Sequence, residues 1–284
     1  MEVVLMKNVE DYMKRVEPLL LKKEACNNLT LGILEQLVTQ DSINVEPLLG
    51  SVQQDGQTIF SFIQTPPHNI IFPDIDHVNA SVTALIAEQL YKEGVRIPGV
   101  IGPERVVKPF IKTWEKIANV SAHVHMRQSI YRLDQVNSIK LAPGSLEPAW
   151  EGDKGLLIDW LIKFGEEANE ASIKKRAVTM AESFLSNKSV YLWKVGNTPV
   201  SMVNQSRETK HGSTINAVYT PDHFKRNGYA TAAVATLSKQ LLEQGSYFCC
   251  LYTDLDNPTS NAIYKKIGYQ PVGDSIVYQT INPC

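Results

Sequence analysis

The two halves of this 284-residue chain contain a similar order of predicted helices and strands. Each half begins with amphipathic helices, continues with a turn signal and a strand pair, and then alternates helices with strands. In the first half the turn signal is Gln53-Gln54-Asp55-Gly56 and the strands are predicted from Thr58 to Phe62 and from Asn69 to Phe72; in the second half the turn is Gly196-Asn197. This order predicts an internal duplication, although the halves share no residue-level repeat. Pro143-Gly144-Ser145 is the strongest break near the midpoint, so we expect domains over residues 1–142 and 143–284.

The charge and cysteine content exclude several classes of protein. The chain carries 28 Lys and Arg against 30 Asp and Glu, a formal charge of −2, so it lacks the positive field of a general nucleic-acid binder. Its four cysteines lack zinc-site spacing, and Cys249 and Cys250 are adjacent, which argues against a disulfide framework. Glu10 and Asp11 interrupt the apolar N-terminal residues. We therefore expect a cytoplasmic protein with neither a membrane nor a nucleic-acid partner.

The segment most informative about chemistry is Lys225-Arg226-Asn227-Gly228-Tyr229-Ala230. It lies between a predicted strand, Ile215 to Tyr219, and a predicted helix, Tyr229 to Leu242. The first N–H groups of a helix have no intrahelical partner and carry partial positive charge, so such a loop favours a phosphate. Glycine at position 228 lets the backbone approach a ligand closely. A solvated basic pair at a turn is the alternative interpretation of Lys225 and Arg226.

A second segment delimits a short helix. Asn257 is an N-cap candidate, Pro258 suits the first helical position, and Gly268 ends the helix. Asn261 and Tyr264 are three residues apart and so share one face. That face meets the loop at Gly228 if the two preceding strands are neighbours in a sheet.

These two segments resemble the signatures of the GCN5-related N-acetyltransferase (GNAT) superfamily. The first matches Arg/Gln-x-x-Gly-x-Gly/Ala at Gly228 and Ala230, but Lys225 replaces the first residue and lacks the planar fork of arginine. The second matches an asparagine followed by a helix ending in Tyr-x-x-x-Gly-Phe/Tyr, here Asn257 to Tyr269. The resemblance covers residues 150–284 and is greatest to a two-domain group similar to the FR47-like and glycine acyltransferase branch.

The resemblance implies an α/β (α+β) fold of tandem GNAT-like domains. Each domain would be a mixed, mostly antiparallel twisted sheet flanked by helices, with a degenerate N-terminal copy. It also implies acetyl-CoA as cosubstrate, with the pyrophosphate on the loop, the pantetheine arm beside a strand, and a backbone N–H near Val218 on the thioester carbonyl. The cofactor-binding residues expected from it are Ala217, Val218, Tyr219, Lys225, Arg226, Asn227, Gly228, Tyr229, Ala230, Asn257 and Asn261.

The implied reaction is acetyl transfer to a primary amine by direct attack in a ternary complex. The family's acid, which protonates the departing thiolate, corresponds to Tyr264. For the base, Glu208 is our choice, with His211, His223 and a water chain as alternatives. The acceptor is a small-molecule or peptide amine that the sequence does not specify, and the oligomeric state is equally unspecified.

Three less specific interpretations stay open at this point. The same fold could be a catalytically silent acyl-CoA-binding or interaction module, and Tyr264 could pack its ring without doing chemistry. The residues His68, Asp74, Asp76 and His77 suggest a metal site only weakly, because nothing in their spacing fixes a geometry. We therefore expect no metal cofactor.

Overall fold

The computed structural model describes residues 1–39 and 46–281, which form two compact units. Unit 1 comprises Met1–Ile130, Thr253–Asp256 and the chain from Pro271 onward. Unit 2 comprises Tyr131–Tyr252 and Asn257–Gln270. The domain limits 1–142 and 143–284 stay a prediction beside this division.

Unit 1 consists of one sheet with four helices. Its strands are β1 (Glu2–Met6), β2 (Leu48–Gln54), β3 (Gln57–Gln64), β4 (Ile70–Ile71), β5 (Gly99–Gly102), β6 (Ser121–Leu133) and, near the C-terminus, β12 (Gln270–Ile281). Its helices are α1 (Val9–Leu20), α2 (Asn28–Thr39), α3 (Ala80–Lys92) and α4 (Glu104–Ala118). The strand order is β1-β2-β3-β4-β5-β12-β6, in which β4 and β5 are parallel.

Local signals explain the helices of unit 1. The Asn8 side chain accepts a hydrogen bond from the Asp11 N–H at 2.8 Å and so caps α1. Helix α1 then buries Tyr12, whose hydroxyl donates to backbone carbonyls of β2 and β3 at Gly50 and Phe62, 2.9 Å each. These bonds satisfy the polar end of a ring that is otherwise in the apolar core.

Unit 2, like unit 1, consists of a mixed sheet with four α-helices. Its strands are β7 (Ser145–Pro148), β8 (Val190–Val195), β9 (Thr198–Glu208), β10 (Gly212–Tyr219) and β11 (Phe248–Asp254). Its helices are α5 (Lys154–Glu167), α6 (Ala171–Ser186), α7 (Tyr229–Glu243) and α8 (Pro258–Ile267). The strand order is β11-β10-β9-β8-β7, in which β10 and β11 are parallel and the other pairs are antiparallel.

Helices cover both faces of the unit 2 sheet. Alternate residues of a strand point to opposite faces, and in β9 Met202 packs with α5 and α6 while Val203 packs with α7. Both side chains are fully buried. The sheet is therefore held from both sides, and it provides a rigid base for the loop that leads from β10 into α7.

The structure confirms the predicted fold class, an α/β fold of mixed, mostly antiparallel sheets flanked by helices. It adds three strands that the sequence did not predict, β1, β2 and β7. Residues 145–148, interpreted as part of a break, pair with β8 as an edge strand. Within the described ranges, no helix combines the length and apolar character needed to cross a membrane.

Candidate functional site

A cavity of about 490 Å³ lies in unit 2 where β10, the loop after it and α8 come together. Of the eleven residues predicted to bind the cofactor, eight line it: Val218, Tyr219, Lys225, Arg226, Gly228, Tyr229, Ala230 and Asn257. Tyr264, the predicted acid, lines the same cavity. Because β10 and β11 are neighbours, the helices that follow them, α7 and α8, are brought to the same end of the sheet.

The loop between β10 and α7 exposes backbone N–H groups at one end of the cavity. Gly228 precedes α7 with φ of +80°, and no side chain caps the helix there. Arg226 also has a positive φ, +65°, so the chain turns sharply before the helix begins. The first N–H groups of α7 have no intrahelical partner, and together with the helix dipole they favour an anion.

Strand β10 carries a β-bulge beside the same cavity. Asn216 pairs with Asn204 and Tyr219 with Met202, so β10 has one residue more than β9 over this stretch. Ala217 takes up the extra residue with φ of +47°. The extra residue of a bulge is left out of the ladder, which locally disrupts the hydrogen bonding of β10 next to Val218. This is the place where the sequence predicts an N–H for a thioester carbonyl.

Helix α8 brings Asn257 and Tyr264 to the cavity. The Asn257 side-chain oxygen accepts a hydrogen bond from the Ser260 N–H at 3.0 Å, so it caps the helix. Tyr264 is 8% exposed and lies between the rings of Tyr131 and Tyr269, with centroids 6.4 and 5.9 Å away. Burial raises the pKa of Tyr264 to about 12, so its phenol stays protonated at neutral pH.

Lys225 forms ion pairs instead of pointing a free charge into the cavity. Its ammonium lies 2.7 Å from a carboxylate oxygen of Glu167 and 2.7 Å from one of Asp222. Partial burial lowers the pKa of Lys225, but the hydrogen bonds to Asp222 and Glu167 outweigh it and raise the pKa overall. The bond from Lys225 also lowers the pKa of Asp222.

Glu167 is a cavity residue that the sequence analysis missed. It is the last residue of α5, and among the described residues that line the cavity it carries the one carboxylate. Burial raises the pKa of Tyr219, and the nearby charge of Glu167 adds to this. No local signal marks Glu167, because its partner Lys225 is 58 residues away in the chain.

Three predicted cofactor residues do not line the cavity. Ala217 turns its methyl group into the apolar cluster with Trp160. The Asn227 amide donates to the carbonyls of Phe224 and Lys225 at 3.1 and 3.2 Å, which stabilises the loop from within. The Asn261 amide donates to the Asn257 carbonyl at 2.7 Å, within the first turn of α8.

The structure does not bring the predicted base, Glu208, to this cavity. Glu208 pairs with Ser213 at the start of β10, about 17 Å along the strand from Val218 at 3.3 Å per residue. It accepts a hydrogen bond from the Gln205 amide at 2.6 Å and, with His211, lines a different cavity of about 310 Å³. The other candidate, His223, packs against Phe224 with ring centroids 4.0 Å apart and the ring planes tilted.

Two of the four residues weighed as a metal site, Asp74 and Asp76, belong to an ion-pair cluster in unit 1. The Lys23 ammonium lies 3.0 Å from an Asp74 carboxylate oxygen and also pairs with Asp76, while Arg105 pairs with Asp74 as well. Over residues 1–39 and 46–281, no three His, Cys, Asp or Glu side chains are grouped so that they could hold a metal ion.

The cavity thus combines three chemical features. It has an uncapped helix N-terminus for an anion, a β-bulge that disrupts the pairing of β10 beside Val218, and a protonated phenol. Lined by Val218, Phe224 and Ile263 as well, it has apolar walls between those polar groups.

Residues 195–276 match the FR47-like protein family, and this stretch contains both the glycine loop and the Asn257–Tyr269 segment. No curated protein sequence is similar enough to match this chain.

Solved structures are similar to the chain over nearly its full length. A GCN5-related N-acetyltransferase from Sphaerobacter thermophilus is 13% identical and has a TM-score of 0.63, covering 99% of this chain and 96% of its own. A GNAT-family acetyltransferase from Colwellia psychrerythraea is 9% identical, with a TM-score of 0.58 and coverage of 99% and 100%. A tandem GNAT protein from the clavulanic acid biosynthesis pathway is 10% identical, with a TM-score of 0.57 and coverage of 100% and 99%.

At these low identities the likeness establishes the fold, and it does so for both halves of the chain. The chain therefore has the fold of the GCN5-related N-acetyltransferases in its two-domain form, and its residues 195–276 match the FR47-like family.

Proposed function

We propose that the protein is an N-acetyltransferase that moves the acetyl group of acetyl-CoA to a primary amine by direct attack in a ternary complex. The FR47-like match and the GNAT fold support an acyltransferase in general. The observation that carries the specific proposal is that the Gly228 loop, the bulge of β10 and the Tyr264 phenol all face one cavity.

The chain's own residues would hold the cosubstrate along this cavity. Backbone N–H groups from Arg226 to Ala230 bind the pyrophosphate, as the uncapped N-terminus of α7 favours. Val218 and Tyr219 line the path of the pantetheine arm, and Asn257 contacts it from α8. A backbone N–H near Val218 donates to the thioester carbonyl and stabilises the negative charge that develops there.

In the chemical step, the amine nitrogen bonds to the carbonyl carbon and the carbon–sulfur bond breaks. Tyr264 gives its hydroxyl proton to the sulfur, so the leaving group departs as a thiol. The amine must lose one proton, and we propose that water carries it away, because Glu208 lies at the other end of β10 and Glu167 is paired with Lys225. A proton from solvent then restores the phenol.

The acceptor in this proposal is a small-molecule or peptide amine. The cytoplasmic location inferred from the cysteines and the N-terminal residues likewise stays a prediction.

The test is a thiol-release assay with acetyl-CoA and a panel of primary amines, run on the parent protein, Tyr264→Phe and Tyr269→Phe. Removal of the Tyr264 hydroxyl should lower the turnover rate by about 10²- to 10⁴-fold, the usual contribution of a proton donor. Tyr269 is the matched control, since it is a buried neighbour of Tyr264. Its hydroxyl forms a 2.8 Å hydrogen bond with the hydroxyl of Ser238, which does not line the cavity.

Tyr269→Phe should therefore keep turnover within about threefold of the parent, because it removes one buried hydrogen bond outside the site. Equal rates in the parent and Tyr264→Phe would remove Tyr264 from the mechanism. Binding of acetyl-CoA without thiol release for any amine would instead support the silent acyl-CoA-binding module.

A further inference from the structure

The side chains around the phosphate loop cancel each other's charge. Lys225 and Arg226 contribute two positive charges, while Glu167 and Asp222, both bonded to Lys225 at 2.7 Å, contribute two negative ones. The loop thus presents its backbone N–H groups to an anion without net help from these side chains.

The two carboxylates differ in position. Asp222 is 88% exposed at its side chain and is not among the residues that line the cavity. Glu167 is 46% exposed and lines the cavity directly, on the same wall as Lys225. An anion bound at the N-terminus of α7 therefore shares the cavity with the Glu167 carboxylate, and Asp222 faces solvent.

Like charges that share one cavity repel each other, and salt screens them less than fully exposed charges where they are partly buried. A carboxylate in this position weakens the binding of a pyrophosphate in two ways, since it repels the anion and keeps the Lys225 ammonium occupied. A loop that served only to bind phosphate would have a higher affinity if this carboxylate were absent.

We propose that Glu167 limits the affinity of the cavity for CoA and its thioesters by neutralising Lys225 and repelling the pyrophosphate. This inference rests on the proposed function, because it assumes that acyl-CoA binds in this cavity. Its consequence for the reaction is faster release of the CoA product, since changes in affinity at one site are expressed mostly in the dissociation rate.

The test is a calorimetric titration with CoA of the parent, Glu167→Gln and Glu166→Gln. Removal of the Glu167 charge should tighten CoA binding about threefold or more, because one repulsive charge is lost and Lys225 loses the partner that lies on the cavity wall. Glu166 is the matched control, since it is the adjacent residue, pairs with Lys174 at 2.9 Å and does not line the cavity. Glu166→Gln should leave the CoA affinity unchanged.

Two further measurements separate a charge effect from a change of shape. The tighter binding of Glu167→Gln should shrink as salt is raised, and it should be absent for S-acetylpantetheine, which has no phosphate. In addition, Lys225→Met should weaken CoA binding more in the Glu167→Gln protein than in the parent, because there the ammonium keeps its exposed partner Asp222 but no longer pairs with the cavity carboxylate, and it can turn towards phosphate.

The outcomes distinguish this inference from the proposed function. If the folded parent does not bind CoA at all, the proposed function fails. If the parent binds CoA and Glu167→Gln binds it equally or more weakly, the proposed function survives and the role of Glu167 is overturned. Equal tightening for S-acetylpantetheine would also overturn it.

Discussion

In each unit a loop and a helix connect two neighbouring parallel strands, but the two loops differ in chemistry. In unit 1 the loop between β4 and α3 contains Asp74 and Asp76, both paired with Lys23. Its helix is capped by Asn79, whose side-chain oxygen accepts from the N–H groups of Ser81 and Val82 at 3.1 and 3.2 Å. In unit 2 the helix begins after Gly228 without a side-chain cap.

This comparison shows that the strand–loop–helix topology shared by the two units is not sufficient to make an anion site. A phosphate needs free N–H groups at the helix N-terminus, and Asn79 occupies those of α3 in unit 1. The two carboxylates of that loop also pair with Lys23 and Arg105, so these cations are already engaged. We therefore expect unit 2 to bind acetyl-CoA and unit 1 to leave it unbound, in line with the interpretation of the first half as a degenerate copy.

The largest expected effect comes from closing the open helix N-terminus of unit 2. Gly228→Asp should weaken acetyl-CoA binding by about a hundredfold, because it adds a carboxylate beside the pyrophosphate, and its side chain can accept the N–H groups as Asn79 does. The measurement is the rise in melting temperature that acetyl-CoA produces, which should be lost in this variant.

Gly196→Asp is the control for backbone strain in that experiment. Gly196 also has a positive φ, +59°, and an added Cβ there meets no other atom within 4 Å. It lies in the turn between β8 and β9, so its variant should keep the full acetyl-CoA shift. A shift that survives in Gly228→Asp, or disappears in Gly196→Asp, would contradict the assignment of the loop.

A smaller effect should separate the two helix caps. Asn79→Ala and Asn257→Ala each remove a side-chain cap, so each should lower the free energy of unfolding by about 1 kcal/mol. Only Asn257 lines the cavity, and only its variant should weaken acetyl-CoA binding, by about three- to tenfold for one lost hydrogen bond. Denaturant titrations with and without acetyl-CoA measure both quantities; an equal loss of affinity in the two variants would remove the distinction between the units.

The smallest expected effect is in the pH dependence. The pKa of Tyr264 is raised to about 12, above the ordinary value near 10, so the phenol stays protonated over the range where an exposed tyrosine ionises. Turnover should therefore not fall between pH 8 and 10.5. Because the folded-state pKa is the higher one, Tyr264 contributes its full stability below pH 10 and loses it as the pH rises towards 12. A decline in turnover centred near pH 10 that Tyr264→Phe abolishes would show an ordinary pKa.

Local patterns in the sequence were sufficient to predict most of the helices and strands. Helix α8 is an example, because Asn257, Pro258 and Gly268 delimit it with residues that act within one turn. Strand β7 was missed because Ser145–Pro148 has no alternating pattern and depends on pairing with β8. The pairing of β12 could not be predicted either, because β12 pairs with a strand far away in the sequence: Ile276–Gln279 lie opposite Gly99–Gly102 of β5.

The site shows the same contrast between local motifs, which the sequence reveals, and contacts between distant segments, which it does not. Gly228, Tyr264 and Asn257 belong to compact motifs, and the structure places all three on one cavity. Glu208 was chosen as the base for its closeness in sequence to β10, but antiparallel pairing puts it at the far end of that strand. Glu167 reaches the cavity only because α5 packs on the sheet, a contact that no spacing in the sequence encodes.

The central claim is that this chain has one acetyl-CoA site and that it lies in unit 2. A calorimetric titration of the full chain with acetyl-CoA, with active protein concentration determined independently, tests it most directly. We predict one molecule bound per chain, with micromolar affinity in the parent and about hundredfold weaker binding in Gly228→Asp. A stoichiometry of two, no binding to the parent, or undiminished binding in Gly228→Asp would contradict the account.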